Sequence, residues 1–187
     1  VTAFGPDDHS GYVDGNYRYH IFTVSKTGST DGFRVTNAGD SAGSDSIEYL
    51  IVGAGGGGGG HQGGGGGAGL SNDQGVVGGV TTLSLDAAVT STGGGGGGGF
   101  EDNEGVDGAS GGGGACVSGT PSNYGAGNAG SRGGPSGSYG APYRGGGGGG
   151  AGGPGADGGS GGTGNGGIGL NSNSAWLTAI SSAGGST

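Results

Sequence analysis

Very little in this sequence can be buried. Hydrophobic residues other than glycine fill 28% of its 187 positions and aromatic residues 6%, against roughly 40% in globular domains once their glycine is set aside. An oily core for the whole chain is excluded, and only a small core serving one part remains. Basic side chains are scarce: Arg18, Lys26, Arg34, Arg132 and Arg144 face 14 acidic residues, for a net charge of −9. No basic patch exists to neutralise phosphates, which argues against nucleic-acid binding. Cysteine occurs once, so no intrachain disulfide can form, and Cys116 reads as a small buried hydrophobe. No apolar run approaches the ~20 residues of a helical membrane span, and no signal peptide is visible. Methionine is absent, from which a processed product or a fragment of something longer is expected. Prolines are few and scattered (Pro6, Pro121, Pro135, Pro142, Pro154) and no G-X-Y phase is kept, so collagen is excluded even though 63 residues are glycine.

What is present falls into two parts. Residues 1–52 read as a small β-rich domain. Tyr17–Val24 and Gly32–Thr36 alternate and are rich in β-formers, and Ser46–Val52 (SIEYLIV) is a denser apolar run suited to a strand covered on both faces. Polar, glycine-containing turns separate them at 26–31 and 37–45. Such a domain is marginal alone and is expected to lean on the glycine region or on a neighbouring protein.

From residue 53 to 187 glycine tracts (53–60, 63–69, 93–99, 111–115, 125–134, 145–153, 158–169) alternate with inserts that carry side chains (61–62, 70–92, 100–110, 116–124, 135–144, 154–157, 170–187). A glycine run has no side chains to bury and loses roughly 1–2 kcal/mol of backbone entropy per ordered residue. It is therefore either a flexible linker or part of a lattice held by main-chain hydrogen bonds. In polyproline-II geometry every N–H and C=O points outward, and three glycine faces let neighbouring helices approach closely enough to bond. A net bond contributes roughly 0.5–1.5 kcal/mol, so one tract stays disordered while several side by side stabilise one another. Seven tracts of similar length, with aromatic residues in the inserts, favour the lattice. The expected fold is mainly β and irregular, with essentially no α-helix: a small β domain, then a bundle of packed polyglycine-II helices with loop inserts. Val80–Leu85 and Ala88–Thr92 read as a hairpin within the insert that spans 76–92, able to complete the small sheet.

The stretches Tyr19-His-Ile-Phe-Thr-Val24, Gly32-Phe-Arg-Val-Thr36, Ala38-Gly39 and Ile47-Glu-Tyr-Leu-Ile-Val-Gly-Ala-Gly-Gly56 resemble the glycine-rich domain of bacteriophage tail-fibre and tail proteins. The likeness covers about residues 17–69, and beyond them only the tract-and-insert pattern continues. The glycine half also resembles the receptor-binding tip adhesins of T-even-type phages, which fold as sandwiches of polyglycine-II helices with variable loops at the distal end. Many members end in a hydrophobic strand, whereas this chain ends Trp176-Leu-Thr-Ala-Ile-Ser-Ser-Ala-Gly-Gly-Ser-Thr187. The resemblance implies a virion protein, extracellular, at a tail fibre or tail tip. Its implied partners are other tail proteins and a bacterial surface receptor, either an outer-membrane protein or a glycan. Phage fibres are often homotrimers, but no heptad or other oligomer signature is present here.

If successive tracts run up and down, inserts alternate between the two ends. Counting from Gly53, the far end collects His61, Gln62, Phe100, Glu101, Asp102, Glu104, Tyr139, Tyr143, Arg144 and Trp176, the candidate receptor-binding set. Exposed aromatic residues and arginine are what binding surfaces favour. The competing reading of Phe100 and Trp176 is that they cap the open end of the bundle. Inserts 116–124 and 154–157 fall at the near end on this count.

No catalytic role, cofactor or resident metal is expected. Lys26 is the only lysine, so no phosphate-binding lysine motif exists, and G-x-G-x-x-G matches mean nothing in a chain this rich in glycine. His9, His20 and His61 are scattered, and His20 reads as a structural hydrogen-bonder. Glu101, Asp102, Glu104 and Asp107 lack the regular spacing of a calcium loop, and Gly153–Asp157 matches a calcium β-roll repeat only in part. The remaining alternatives are a purely structural virion or fibre protein and an ice-binding protein. Against the latter stand the long acidic inserts and the lone cysteine.

Overall fold

The computed structural model describes residues 2–4, 12–22, 24, 33–37, 39, 46–55, 73–84, 87–99, 104–116, 124–127, 131–134, 145–158 and 163–182. The chain divides into two compact units, one formed by Val1–Tyr49 with Asn171–Thr187 and the other by Leu50–Leu170. The division after residue 49 lies close to the expected one after 52. The C-terminal segment, expected to continue the glycine region, groups instead with the N-terminal residues.

Among the described residues, regular elements are few: six short strands in three antiparallel pairs and one helix. In the first unit, β1 (Thr2–Phe4) pairs with β4 (Arg34–Asn37), with a register shift between Thr2 and Ala3. β2 (Tyr12–Asp14) and β3 (Tyr17–Tyr19) form a hairpin in which Asp14 faces Tyr17. Its two loop residues are Gly15 and Asn16, and Gly15 takes φ 56°, the left-handed conformation that a two-residue hairpin turn demands. Beyond β3, the Phe33 ring meets His20 edge-on at 5.8 Å and Phe22 at 6.2 Å. The strand expected over 17–24 is thus shorter, and its apolar end packs as rings.

Two expectations are corrected here. Ser46–Val52 is no strand, and it is not covered on both faces: Tyr49 and Leu50 are each 49% exposed and Val52 69%. A dense apolar run becomes a central strand only if main chains pair on its flanks, and no ladder to it forms among the described residues. A helix also exists where essentially none was expected. It is α1 (Ser174–Ser182), within the longest glycine-free stretch of the chain, 170–183. Asn173 opens it, its carbonyl accepting from the N–H groups of Trp176 and Leu177. Ala175, Leu177 and Ala179 favour the helix, and the Thr178 hydroxyl donates back to the Ser174 carbonyl at 2.9 Å. Asn173, Trp176 and buried Ala179 recur every third residue on one face, and α1 packs against β2.

In the second unit β5 (Thr81–Leu83) and β6 (Val89–Ser91) make the expected hairpin, with Thr82 opposite Thr90. Its strands pair with each other alone among the described residues. The rest of the unit consists of extended runs joined by main-chain bonds. Ten of them lie among the described residues: 50–55, 74–79, 93–99, 105–109, 110–116, 124–127, 131–134, 145–150, 152–158 and 163–170.

Bonds between two runs recur three residues apart. Gly75 and Gly78 donate to Gly97 and Gly94, so those runs are antiparallel; Gly95 and Gly98 donate to Ser110 and Gly113, so those are parallel. The same spacing links Gly111 and Gly114 to Ser131 and Gly134, Gly146 and Gly149 to Gly114 and Gly111, and Gly147 and Gly150 to Ala156 and Gly153. The run 110–116 bonds to five others, those at 93–99, 105–109, 124–127, 131–134 and 145–150. Gly95–Gly99 and Gly111–Cys116 are all buried. Across the described residues the buried apolar side chains are only Ala115, Cys116 and Ala179. The centre of this unit is backbone, and Cys116, 0% exposed, is the small buried hydrophobe its sequence context implied.

Close approach explains why glycine is required. A Cβ at Gly112 would collide with the carbonyl of Gly96, and one at Gly96 with that of Gly75. At Gly55 and Gly79, on the outer rows, a Cβ would meet nothing within 4 Å.

Candidate functional site

Run directions decide which insert termini share an end. Each run is antiparallel to the one before it in sequence, from 50–55 against 74–79 (Ala54 N–H to Gly79, Thr81 hydroxyl to Val52) through to 152–158 against 163–170 (Ala156 N–H to Asn165, Gly152 N–H to Ile168). The termini at 55 and 74, 99 and 105, 116 and 124, 134 and 145, and 158 and 163 therefore lie at one end. Those flanking the hairpin, Ala109–Ser110, 127–131 and Ala151 lie at the other. The chain enters the unit at residue 50 and leaves it at 170 on that second end.

Of the candidate residues, His61, Gln62, Phe100, Glu101, Asp102, Tyr139, Tyr143 and Arg144 lie outside the described residues. Glu104 is exposed and opens a run at the first end, where its main-chain carbonyl accepts from Gln74 Nε2 at 2.6 Å. Trp176 is not in this unit. It is half-buried in α1 of the other one, because the tenth run leaves the lattice at the end opposite Glu104.

The insert count is corrected in four further places, one of them the tract 125–134, which is two antiparallel runs, 124–127 and 131–134, and not one. The segment Gln74–Gly79, placed in an insert, is a run, and so is 105–109. Pro154–Asp157, also placed as an insert, lies inside the run 152–158. As a consequence the termini at 116 and 124 sit at the same end as 99 and 105, not opposite them. The missed signal is glycine at every third position: Gly75 and Gly78, Gly105 and Gly108, Gly152, Gly155 and Gly158. One glycine row lets a run pack inward while the other two rows carry side chains.

Those outward rows bring together groups that the sequence did not connect. The guanidinium carbon of Arg132 lies 4.4 Å from the centre of the Tyr124 ring, and its Nη1 donates to the Gly133 carbonyl at 3.0 Å. On the neighbouring run, Asp107 Oδ1 accepts the Ala126 N–H at 2.6 Å. The run 124–127 bonds to 105–109 through Gly108 and to 131–134 through Gly133, so Asp107 and Arg132 lie on the runs either side of the one that carries Tyr124. All three are exposed. Cation–π contact is worth roughly 0.5–1 kcal/mol at exposed sites, enough to restrict the guanidinium without removing it from water.

No protein-family model matches this chain, and no curated protein or solved structure is significantly similar to it.

Proposed function

We infer that the 50–170 unit is a bundle of polyglycine-II helices in a phage tail-fibre or tail-tip protein, holding loops that bind a bacterial surface receptor. The observation that carries this reading is the alternation of runs bonded every third residue. That spacing matches three residues per turn with outward-facing N–H and C=O groups, and alternation brings the termini at 55 and 74, 99 and 105, 116 and 124, 134 and 145, and 158 and 163 to one end, with the β5–β6 hairpin at the other. A rigid scaffold bearing variable loops at one end is how binding surfaces are commonly built. The unit uses its scarce side chains in those loops and on its outer rows, and none of the described ones converge as catalysis requires. Its partners on this reading are a receptor on the host surface and other tail proteins, and its place is the virion.

The test is binding of the purified protein to bacterial cells. Replacing 100–103 and 135–144 with Gly-Ser segments of equal length should abolish binding while leaving amide protection in 93–99 and 111–116 intact. Full binding by both replacements, or no cell binding by the parent, would point instead to a purely structural role in the particle.

A further inference from the structure

On the side of the lattice, where the run 124–127 begins, Tyr124 and Arg132 form a second candidate site. Arg132 is the one Lys or Arg among the described residues of the 50–170 unit, in a chain of net charge −9. An isolated cation in so acidic a molecule ordinarily pairs with a carboxylate. This one is held by an aromatic face and a main-chain carbonyl instead, and no ion pair to it exists among the described residues. A guanidinium has five N–H donors in a planar fork suited to carboxylate or phosphate. One is donated to Gly133, and the others meet no acceptor among the described residues.

The surroundings narrow that ligand. Tyr124 keeps 40% of its surface open, with the Arg132 guanidinium over one face of its ring. Asp107 spends one carboxylate oxygen on Ala126 N–H, and its Oδ2 remains an acceptor for hydroxyl groups. Fork and acceptor lie on the two runs bonded to the one that carries the ring. A densely charged polyanion would be repelled by the net charge of −9. A sugar carrying one anionic group satisfies all three.

We propose that Tyr124, Arg132 and Asp107 form a subsite for a saccharide with a single anionic substituent, carboxylate or phosphate. The proposal rests on the host-surface reading and names a glycan as part of that receptor. The guanidinium forks onto the anion, the Tyr124 ring lies against the pyranose, and Asp107 takes a hydroxyl.

The experiment is titration of the full chain, by calorimetry or chemical-shift mapping, with 3′-sialyllactose, glucose 6-phosphate and lactose, and with acetate and inorganic phosphate as bare anions. One or both anionic sugars should bind, and the two arms show whether carboxylate or phosphate is preferred. Arg132→Gln and Tyr124→Ala should each weaken binding at least about tenfold, and Tyr124→Phe should preserve it. Amide protection in 111–116 should be unchanged in all three variants, because these side chains point off the lattice. Equal binding of lactose, equal binding of the bare anions, or full affinity in Arg132→Gln would overturn the proposal. Cell binding by the parent that Arg132→Gln does not reduce would overturn this subsite and leave the host-surface reading standing. Arg132-dependent sugar binding with no cell binding would do the reverse.

Discussion

Within residues 50–170 the buried atoms are main chain, with Ala115 and Cys116 the only buried apolar side chains described there. Within the unit of 1–49 and 171–187, contacts run through side chains: Phe33 against His20 and Phe22, and the Trp176 and Ala179 face of α1 near β2. The first unit follows the usual logic of apolar burial, in which a side chain can often be exchanged for another of similar volume. In the second, hydrogen bonds at fixed spacing replace that burial. A bond gives less than an apolar side chain does, so the lattice depends on the number of bonds and on the absence of anything between backbones. Tolerance to substitution should therefore differ sharply between the two units, and also between inner and outer rows of the lattice.

The largest effect is expected at the inner row. Gly112→Val places side-chain atoms on the Gly96 carbonyl, and overpacking of that kind costs about 1–3 kcal/mol or more. Because run 110–116 bonds to five others, amide protection should fall across 93–99, 131–134 and 145–150 together. Protection lost only around residue 112 would show that the runs are not cooperative.

Trp176→Ala should cost about 1–3 kcal/mol, as expected for removing a half-buried aromatic side chain. Its loss should appear in the circular dichroism of α1 and in exchange at β2–β3, while protection at 111–116 persists. A parallel loss in both units would erase the distinction drawn between them.

Cys116→Ser keeps the volume but buries a hydroxyl, at about 1–3 kcal/mol if the group finds no partner. Thermal melting should register it, and Cys116→Ala should cost less because no polar atom is introduced.

The smallest change should have the opposite sign. Gly79→Ala adds a methyl where nothing lies within 4 Å and removes freedom from the unfolded chain, for about 0.4–1 kcal/mol of added stability. A rise in melting temperature at Gly79 beside a collapse at Gly112 would separate outer from inner rows within one residue type. Equal destabilisation at both positions would contradict the row assignment.

Legibility in the sequence followed the same division. The hairpin around Asp86-Ala87 was legible because β-formers and a turn are local signals. The buried state of Cys116 followed from the ordinary behaviour of a lone cysteine, a small apolar side chain. Ser46–Val52 misled, since an apolar run states what its side chains prefer and not whether a neighbouring main chain is there to pair with it. Residues 74–79, 105–109 and 154–157 look like inserts because their glycine is interrupted, whereas packing needs glycine only on the row that faces inward. That misreading moved the termini at 116 and 124 to the wrong end and put Trp176 among the far-end residues. The Tyr124–Arg132 pair had no local signal at all: eight positions separate the two, and only adjacent runs bring them to 4.4 Å.

Composition alone determined that most of this chain could not hold an oily core, because there is too little apolar surface to drive one, and that any order in its glycine half had to come from the backbone. The direction of each run, the choice of inner row, and which side chains meet on the outer rows were decided only by the assembled structure. Glycine carries no side-chain information, so nothing in a glycine run names its neighbour; the neighbour is selected by which carbonyls and N–H groups come within bonding distance once all the runs are packed.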